Sequence, residues 1–296
     1  MRTEIGTIIL DLDGTLLTNN KSVSELTKQT LIKAQEQGIQ LILASGRPTS
    51  GMLEFAEELQ MHHHNGLIIS FNGAHVLNYT TKETYFEHVI DCTTTTSLLR
   101  HLDEFNVTTM VTQGQTMYVH DVFSRKIDMD LMGNKYVNII QYEARGGKFL
   151  LQEVASLAEF VDFEPHKVLI AADPKYLQSS YVAIQAPFKD TLHCVFSAPF
   201  YFEFTHKDVD KAQTLQRLYD QGFLNQGNII AFGDGLNDLS MLGFADIGVA
   251  MANAEAVVKD VADTITLSNN DDGIAYELFT RIPSLFKYTH GLKEKE

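Results

Sequence analysis

Short apolar runs punctuate both ends of the chain, and each stops abruptly in small or polar residues. Thr7-Ile8-Ile9-Leu10 leads into Asp11-Leu12-Asp13-Gly14-Thr15, the run 39–44 into Ser45-Gly46-Arg47-Pro48, and Leu67-Ile68-Ile69-Ser70 into Phe71-Asn72-Gly73-Ala74. Far downstream, Asn228-Ile229-Ile230-Ala231-Phe232 leads into Gly233-Asp234-Gly235-Leu236-Asn237-Asp238. Runs that are apolar at consecutive rather than alternate positions belong to strands buried on both faces, as in a parallel sheet covered by helices. The spacing between them is helical: Leu26, Leu31, Ile32 and Ala34 within 23–37, opened by Ser22 or Ser24 and closed by Gly38. Further helices are predicted over 52–59, 211–219, 241–244 and 254–261, further strands over 246–251 and 264–267, and a last helix start at 271–274. This β-α-β rhythm predicts an α/β, Rossmann-like parallel sheet.

The rhythm breaks in the middle of the chain. From about Tyr85 to His206 the sequence is richer in Thr, Tyr, Phe and His, and it alternates at 108–112 and 116–119, the pattern of half-exposed antiparallel strands. Helices are predicted at 96–105 and 177–186 and a closing strand at 200–204. The division that follows is a core of 1–84 and 207–296 with an α+β domain of 85–206 inserted into it. Thr93-Thr94-Thr95-Thr96 reads as a loop and helix cap, and His62-His63-His64 as a solvated loop, since adjacent histidines cannot all face one ion. The aromatic run Phe200-Tyr201-Phe202-Glu203-Phe204 carries no interleaved basic residues and reads as sheet packing.

Composition narrows the function classes. The chain has 296 residues, 44% hydrophobic and 21% charged, with a formal net charge of -15. That charge argues against general affinity for nucleic acid or anionic membranes, although a bound divalent cation can reverse the field locally. Two cysteines, no zinc-like spacing and no run long enough to span a bilayer or direct secretion lead to the expectation of a cytoplasmic protein, monomeric or weakly homo-oligomeric.

The chemistry sits at the predicted strand tips, where open α/β sheets bind ligands. Side chains alternate with period two, so Asp11 and Asp13 share a face while Leu12 turns away. Like charges held together need a cation between them or a proton on one of them, which points to a metal site, an acid/base site, or both. The plainer reading is two solvated acids capping the next helix. Ser45, with helix amides behind it, marks either an anion site or an ordinary N-cap. Asn72 makes a tight turn or faces the same crevice. Lys211, at the positive end of a predicted helix, requires acids or an anion to hold it. Carboxylates from separate segments suit a hard, oxygen-liganded cation such as magnesium, and a lysine and a hydroxyl beside it suit a phosphoryl group.

Taken in order, Asp-Leu-Asp-Gly-Thr at 11–15, Ser-Gly-Arg at 45–47, Asn-Gly-Ala at 72–74, Lys211 and Gly-Asp-Gly-Leu-Asn-Asp at 233–238 resemble the motifs of the haloacid dehalogenase superfamily. The placing of the insert resembles its Cof-type phosphatases, with a type IIB (C2B) cap. The resemblance implies that Asp11 is the nucleophile that forms an aspartyl-phosphate, and that Asp13 is the general acid and base, its side chain free for proton transfer. It implies that Mg2+ is held by the Asp11 carboxylate, the Asp13 carbonyl and Asp234, with Asp238 binding directly or through water. Ser45, beside Gly46, and Lys211 are implied to bind phosphoryl oxygens, Asn237 to orient its loop, and Arg47 and Asn72 to face the substrate. Ala212 stands where family members commonly carry glycine after the lysine. In the cap, Tyr118, Arg125 and Lys148 carry no motif and read as surface or packing residues. The implied function is a magnesium-dependent phosphomonoester hydrolase acting on small phosphorylated metabolites, sugar phosphates first and phosphorylated cofactors such as pyridoxal phosphate next. The alternatives are a phosphomutase-like phosphotransferase and a phosphate-binding regulatory module without turnover.

Overall fold

The computed structural model describes residues 4–123, 126–127 and 137–286. The chain up to Phe86, together with the chain from Asp210 onward, forms one compact unit, and Glu87–Val209 forms another. The strands of the first stretch are β1 (Ile5–Leu10), β2 (Gln40–Ala44), β3 (Leu67–Ser70), β4 (His75–Asn78) and β5 (Thr84–Glu87). Then come β6 (Thr108–Gln113), β7 (Thr116–Val119), β8 (Lys126–Ile127), β9 (Val137–Asn138), β10 (Leu150–Glu153), β11 (Lys167–Ala171), β12 (Leu192–Ala198) and β13 (Tyr201–His206). The chain returns through β14 (Asn228–Gly233), β15 (Ile247–Ala250) and β16 (Thr264–Ile265).

In the first unit eight strands line up as β16-β15-β14-β1-β2-β3-β4-β5. Alternate residues of the central strands feed two different cores, which is why their sequences are apolar throughout. Ile8, Leu10, Leu41, Leu43, Ile230 and Phe232 pack with Leu31 and Ala34 of helix Glu25–Glu36 and with Ile274 and Leu278 of helix Gly273–Arg281. Ile9, Ile42, Ala44, Ile69 and Ala231 pack on the other side with Leu215 and Leu218 of helix Lys211–Asp220 and with Met241 and Leu242 of helix Leu239–Phe244. Strand β1 lies between β14 and β2, parallel to both. The strand order therefore reverses around β1, and the carboxyl end of β1 opens at the switch point where such sheets place ligands.

One edge of this sheet departs from the expected parallel pattern. β4 runs antiparallel to β3, with Ser70 opposite His75. Phe71, Asn72 and Gly73 all have positive φ, at 52°, 57° and 114°, and reverse the chain within three residues. At Gly73 a side chain would also be excluded sterically: a Cβ there would lie 2.6 Å from Thr214 Oγ1 and 2.9 Å from the Asp210 carbonyl oxygen. Thr214 Oγ1 donates to the Gly73 carbonyl at 3.0 Å. The first turn of helix Lys211–Asp220 is thereby docked on the β3 turn.

In the second unit a six-stranded mixed sheet has the order β10-β7-β6-β11-β13-β12, beside a β8-β9 pair. Helices Cys92–Leu102 and Pro174–Gln185 cover one face through Leu98, Leu99, Leu177 and Ile184, which pack against Val168, Ile170, Phe202 and Phe204. The other face packs Leu169, Ala171 and Tyr201 against Ile139, Ile140 and Ala144 of helix Ile139–Gly147. The four threonines at 93–96 lie inside helix Cys92–Leu102 rather than in a loop before it, because the cap is Asp91, which accepts from the Thr94 amide at 2.9 Å. Tyr118 packs on the Phe160 ring at 5.1 Å and Lys148 is exposed. Arg125 lies outside the described residues.

Candidate active site

Four loops that follow β1, β2, β3 and β14, with the start of helix Lys211–Asp220, carry the candidate residues. Asp11 extends β1 by one residue, its amide donating to the Phe232 carbonyl at 3.1 Å, and it is 5% exposed. Lys211 opens its helix behind Asp210, whose carboxylate accepts from the Ala212 and Gln213 amides and from Ser240 Oγ. Its Nζ reaches Asp11 Oδ1 at 2.8 Å and Asp238 Oδ1 at 2.6 Å. The second oxygen of Asp238 accepts from the amides of Asp234 and Gly235 at 2.9 and 3.0 Å. One buried residue thus shapes the β14 loop and shares the lysine with Asp11.

Asp234 is held from the other side, where Thr15 Oγ1 donates to its Oδ1 at 2.8 Å. Gly14 permits that approach, since at φ +85° its absent Cβ would sit 2.2 Å from Asp234 Oδ2. Asp11, Asp234 and Asp238 each offer a carboxylate oxygen within 4.8 Å of the others. Hard oxygen donors from separate segments are the set a divalent cation such as magnesium takes. The electrostatics fit as well. Burial, then Asp238 and Asp234, push Asp11 well above the ordinary carboxylate range against the pull of Lys211. Burial raises Asp234 to about 6, with the charge of Asp238 adding to it and the Thr15 hydrogen bond opposing it. Although burial disfavours its charge, Lys211 is held protonated above its ordinary range by Asp11 and Asp238. Three acids and one lysine leave an excess of negative charge that a bound cation would neutralise.

Asp13 is organised differently. Arg47 grips its carboxylate at both oxygens, Nε to Oδ2 at 2.6 Å and Nη2 to Oδ1 at 2.8 Å, and Lys21 Nζ adds a contact to Oδ1 at 2.7 Å. Against the opposing effect of burial, these two cations bring the Asp13 pKa below its ordinary value. The resemblance implies an Asp13 side chain free for proton transfer and an Arg47 turned to substrate; here the two are paired with each other. Lys211, implied to bind phosphoryl oxygens, spans the Asp11 and Asp238 carboxylates here. The pairing of Asp13 with Lys21 has no signal in the sequence, because Lys21 sits in an unremarkable polar turn at φ 59°. Asn253, whose Nδ2 donates to the Gly14 carbonyl at 2.7 Å, is a second such residue.

The remaining candidates meet around the β2 and β3 tips. Ser45 is buried, its Oγ accepting from the Arg47 amide at 3.2 Å, and its carbonyl accepts from the Asn72 amide at 2.9 Å. A Cβ on Gly46 would lie 3.1 Å from Asn72 Nδ2, and Asn72 Oδ1 accepts from Asn237 Nδ2 at 3.1 Å. Ser45, Gly46, Asn72 and Asn237 are therefore contiguous, and they link the β2 tip to the β14 loop. The histidine run at 62–64 takes no part: among the described residues the metal-competent group is formed by aspartates alone.

Residues 8–278 match the family model of haloacid dehalogenase-like hydrolases. The chain belongs to that family of hydrolases. Its inserted second sheet is the cap of the Cof-type, subfamily IIB phosphatases in this haloacid dehalogenase-like family. Phosphatase YwpJ of Bacillus subtilis (strain 168) is 30% identical over 91% of this hydrolase and 97% of its own length. The 5-amino-6-(5-phospho-D-ribitylamino)uracil phosphatase YitU of the same organism is 28% identical over 93% of this chain and 97% of its own. A crystal structure of a haloacid dehalogenase-like hydrolase from Bacteroides thetaiotaomicron superposes with a TM-score of 0.82 at 32% identity, covering 94% of this chain and 99% of that one. Among the described residues, no helix is long and apolar enough to cross a membrane.

Proposed function

We propose that this phosphatase hydrolyses small phosphomonoesters, sugar phosphates first, by passing the phosphoryl group through the carboxylate of Asp11. The observation that carries the reading is the buried Asp11 at the tip of β1, clasped by Lys211 beside Asp234 and Asp238. Asp11 must be ionised to attack phosphorus, and its burial opposes this, so the site depends on the positive charge brought to it. The Asp11 and Asp234 carboxylates and the Asp13 carbonyl, with Asp238 directly or through water, would hold Mg2+, which would supply that charge and offset the charge of the phosphoryl oxygens.

In the first half-reaction the Asp11 oxygen bonds to phosphorus, the phosphorus–oxygen bond to the leaving group breaks, and a proton from Asp13 neutralises the departing alkoxide. In the second, Asp13 takes a proton from water, whose oxygen attacks phosphorus and releases phosphate and free Asp11. Ser45 and Lys211 hold the phosphoryl oxygens, and Asn72 and Asn237 steady the loops on either side. Asp13 enters this cycle only when the Arg47 grip loosens, since a carboxylate held between two cations keeps no proton to give. Both cysteines among the described residues are unpaired, in keeping with a reducing cytoplasm.

YitU, a relative named for a phosphorylated ribityl compound, supports the class of small phosphorylated metabolites. The experiment is a phosphate-release screen over sugar phosphates, pyridoxal phosphate and flavin mononucleotide, with magnesium and with chelator. Release with magnesium alone supports the reading; an isomerised sugar phosphate without free phosphate indicates a mutase, and tight binding without either product indicates a regulatory module.

A further inference from the structure

The turn after β15 touches both loops that carry the candidate cation donors. It runs from Met251 to Glu255, between β15 and helix Ala256–Val261. The Met251 amide donates to the Gly233 carbonyl and the Glu255 amide to the Asp234 carbonyl, each at 3.1 Å, so both ends of the turn are anchored on the tip of β14. Between them Asn253 reaches the β1 loop, its Nδ2 donating to the Gly14 carbonyl at 2.7 Å. Its Oδ1 accepts from the Asn269 amide at 2.9 Å, and Asn269 Nδ2 in turn donates to the Leu17 carbonyl at 2.8 Å. A backbone carbonyl only accepts and an amide N–H only donates, so these partners fix which way the Asn253 side chain faces.

Gly14 is the residue of the β1 loop where such a hold matters. It lies between Asp13, whose carbonyl is one of the proposed cation donors, and Thr15, whose hydroxyl donates to Asp234. Asp234 Oδ2 occupies the space that a Cβ on Gly14 would fill, so no side chain can stiffen the backbone there. Glycine has the freest backbone of any residue, and at φ +85° this one stands where other residues rarely go. Once its own carbonyl is held, the peptide unit between Asp13 and Gly14, which carries the Asp13 carbonyl, loses most of its freedom to turn. A neighbouring tether lacks this leverage: Asn270 Oδ1 accepts from the Asn19 amide at 3.0 Å, beyond the last of the candidate donors in that loop.

We propose that Asn253 is a positioning residue for the cation: by bridging the turn anchored on β14 to the Gly14 carbonyl, it keeps the Asp13 carbonyl and the Asp234 carboxylate in one fixed relation. The use of the cation rests on the phosphatase reading above; the bridge between the two loops does not. Groups that orient a metal ligand without touching the metal commonly contribute about 10–100-fold in affinity.

Asn253→Ala and Asn253→Leu both remove the donor. Asn253 is exposed, so the thermal midpoint of the metal-free protein should stay within about 3 °C in each. Calorimetric titration of the full chain with magnesium chloride reads binding without turnover. The dissociation constant is expected to rise about tenfold or more in both variants and to stay within about twofold in Asn270→Ala. With p-nitrophenyl phosphate, the magnesium concentration for half-maximal activity should rise in parallel, while kcat at saturating magnesium falls by less than about threefold. Unchanged magnesium affinity in the Asn253 variants, or an equal loss in Asn270→Ala, overturns the proposal. So does a metal-free midpoint lowered by more than about 10 °C in both, which would assign the bridge to folding. If one Asn253 variant fails to fold, the other decides. Asn253-dependent magnesium binding in a protein that releases no phosphate from any ester leaves the proposal standing and removes the phosphatase reading. Phosphate release with a magnesium affinity indifferent to Asn253 removes the proposal alone, and absence of magnesium binding by the unaltered protein removes both the proposal and the magnesium-dependent mechanism.

Discussion

Each unit of the molecule buries a lysine against carboxylates, and the two arrangements differ in how completely they are closed. In the first unit Lys211 is shared by Asp11 and Asp238, and the other Asp238 oxygen is taken by two backbone amides. In the second, Lys167 meets Glu203 through one oxygen and leaves the other without a partner. Burying a charge is costly in both places, and mutual attraction offsets that cost only when the remaining hydrogen-bonding capacity is also filled. A closed arrangement fixes Asp11 and the loop beside it in one geometry; an open one leaves a carboxylate oxygen unsatisfied. A lysine paired with a carboxylate is therefore fully satisfied in one unit and only partly satisfied in the other.

The largest effect should come from removing the charge that Lys211 holds in place. Asp11→Asn is expected to lower turnover at least about a thousandfold, as loss of a covalent nucleophile does, while far-UV circular dichroism stays native because Lys211 keeps Asp238. An asparagine variant that turns over at the unaltered rate would remove Asp11 from the mechanism and leave its lysine a purely structural clasp.

Replacing the lysines tests the comparison directly. Lys211→Met strands two buried carboxylates and Lys167→Met one salt-bridged glutamate, and stranding a buried charge typically costs about 3–5 kcal/mol in urea unfolding. Lys211→Met should be the more destabilising of the two, and it alone should cut p-nitrophenyl phosphate hydrolysis by roughly 10²-fold or more. Equal losses of stability and activity from both substitutions would mean that the two sites do not differ in kind.

The third test uses pH. Asp234 is raised to about 6 by burial first and by Asp238, so without metal the folded state holds a proton there that the unfolded chain sheds near the ordinary 3.8. That group stabilises the metal-free protein fully below about pH 4, and its contribution is lost as pH rises through 6. Magnesium competes with the same proton, so the metal-induced rise in thermal midpoint should be small at pH 5 and full at pH 7, with apparent affinity falling about tenfold per unit below 6. The Lys167 patch has no such cluster, and Asp11→Ala with Asp234→Ala should abolish the metal response. A magnesium response that is flat from pH 5 to 7 would detach Asp234 from the cation.

What could be read in advance follows the same physical division. The central strands were legible because burial on both faces leaves an uninterrupted apolar run, and a run that stops at Asp11 or Ser45 marks its own tip. β4 and β5 were not, because each is only four residues long, β4 alternates half-buried with buried positions, the edge strand β5 has no fully buried position, and both follow a reversal that reads only as a turn. Asp11, Lys211, Asp234 and Asp238 announce themselves at strand and helix ends, and the structure brings them together. The Arg47 grip on Asp13 and the orphaned oxygens of Glu203 and Thr205 depend on which side chains meet across 34 residues or across a strand register, which no local pattern carries.

The smallest effect belongs to the exposed end of the series, at Asp13. Its two cations differ as the buried lysines do: Arg47 is 18% exposed in its side chain and binds both oxygens, whereas Lys21 is 54% exposed and binds one. A paired planar fork loses less entropy per bond than a single flexible ammonium, and exposed pairs contribute only about 0–1 kcal/mol. Lys21→Met should therefore change the thermal midpoint and kcat by less than about twofold in rate and a degree or two in temperature, and Arg47→Met by distinctly more. Because these cations lower the Asp13 pKa, their contribution is present above its ordinary 3.8 and disappears as pH falls through the folded value. The difference in midpoint between Arg47→Met and the unaltered protein should thus be full at pH 7 and shrink as the pH falls below the ordinary carboxylate value. A difference that persists undiminished to the lowest pH at which the protein stays folded would assign Arg47 to packing on Phe55, whose ring lies 5.5 Å from its guanidinium, rather than to charge.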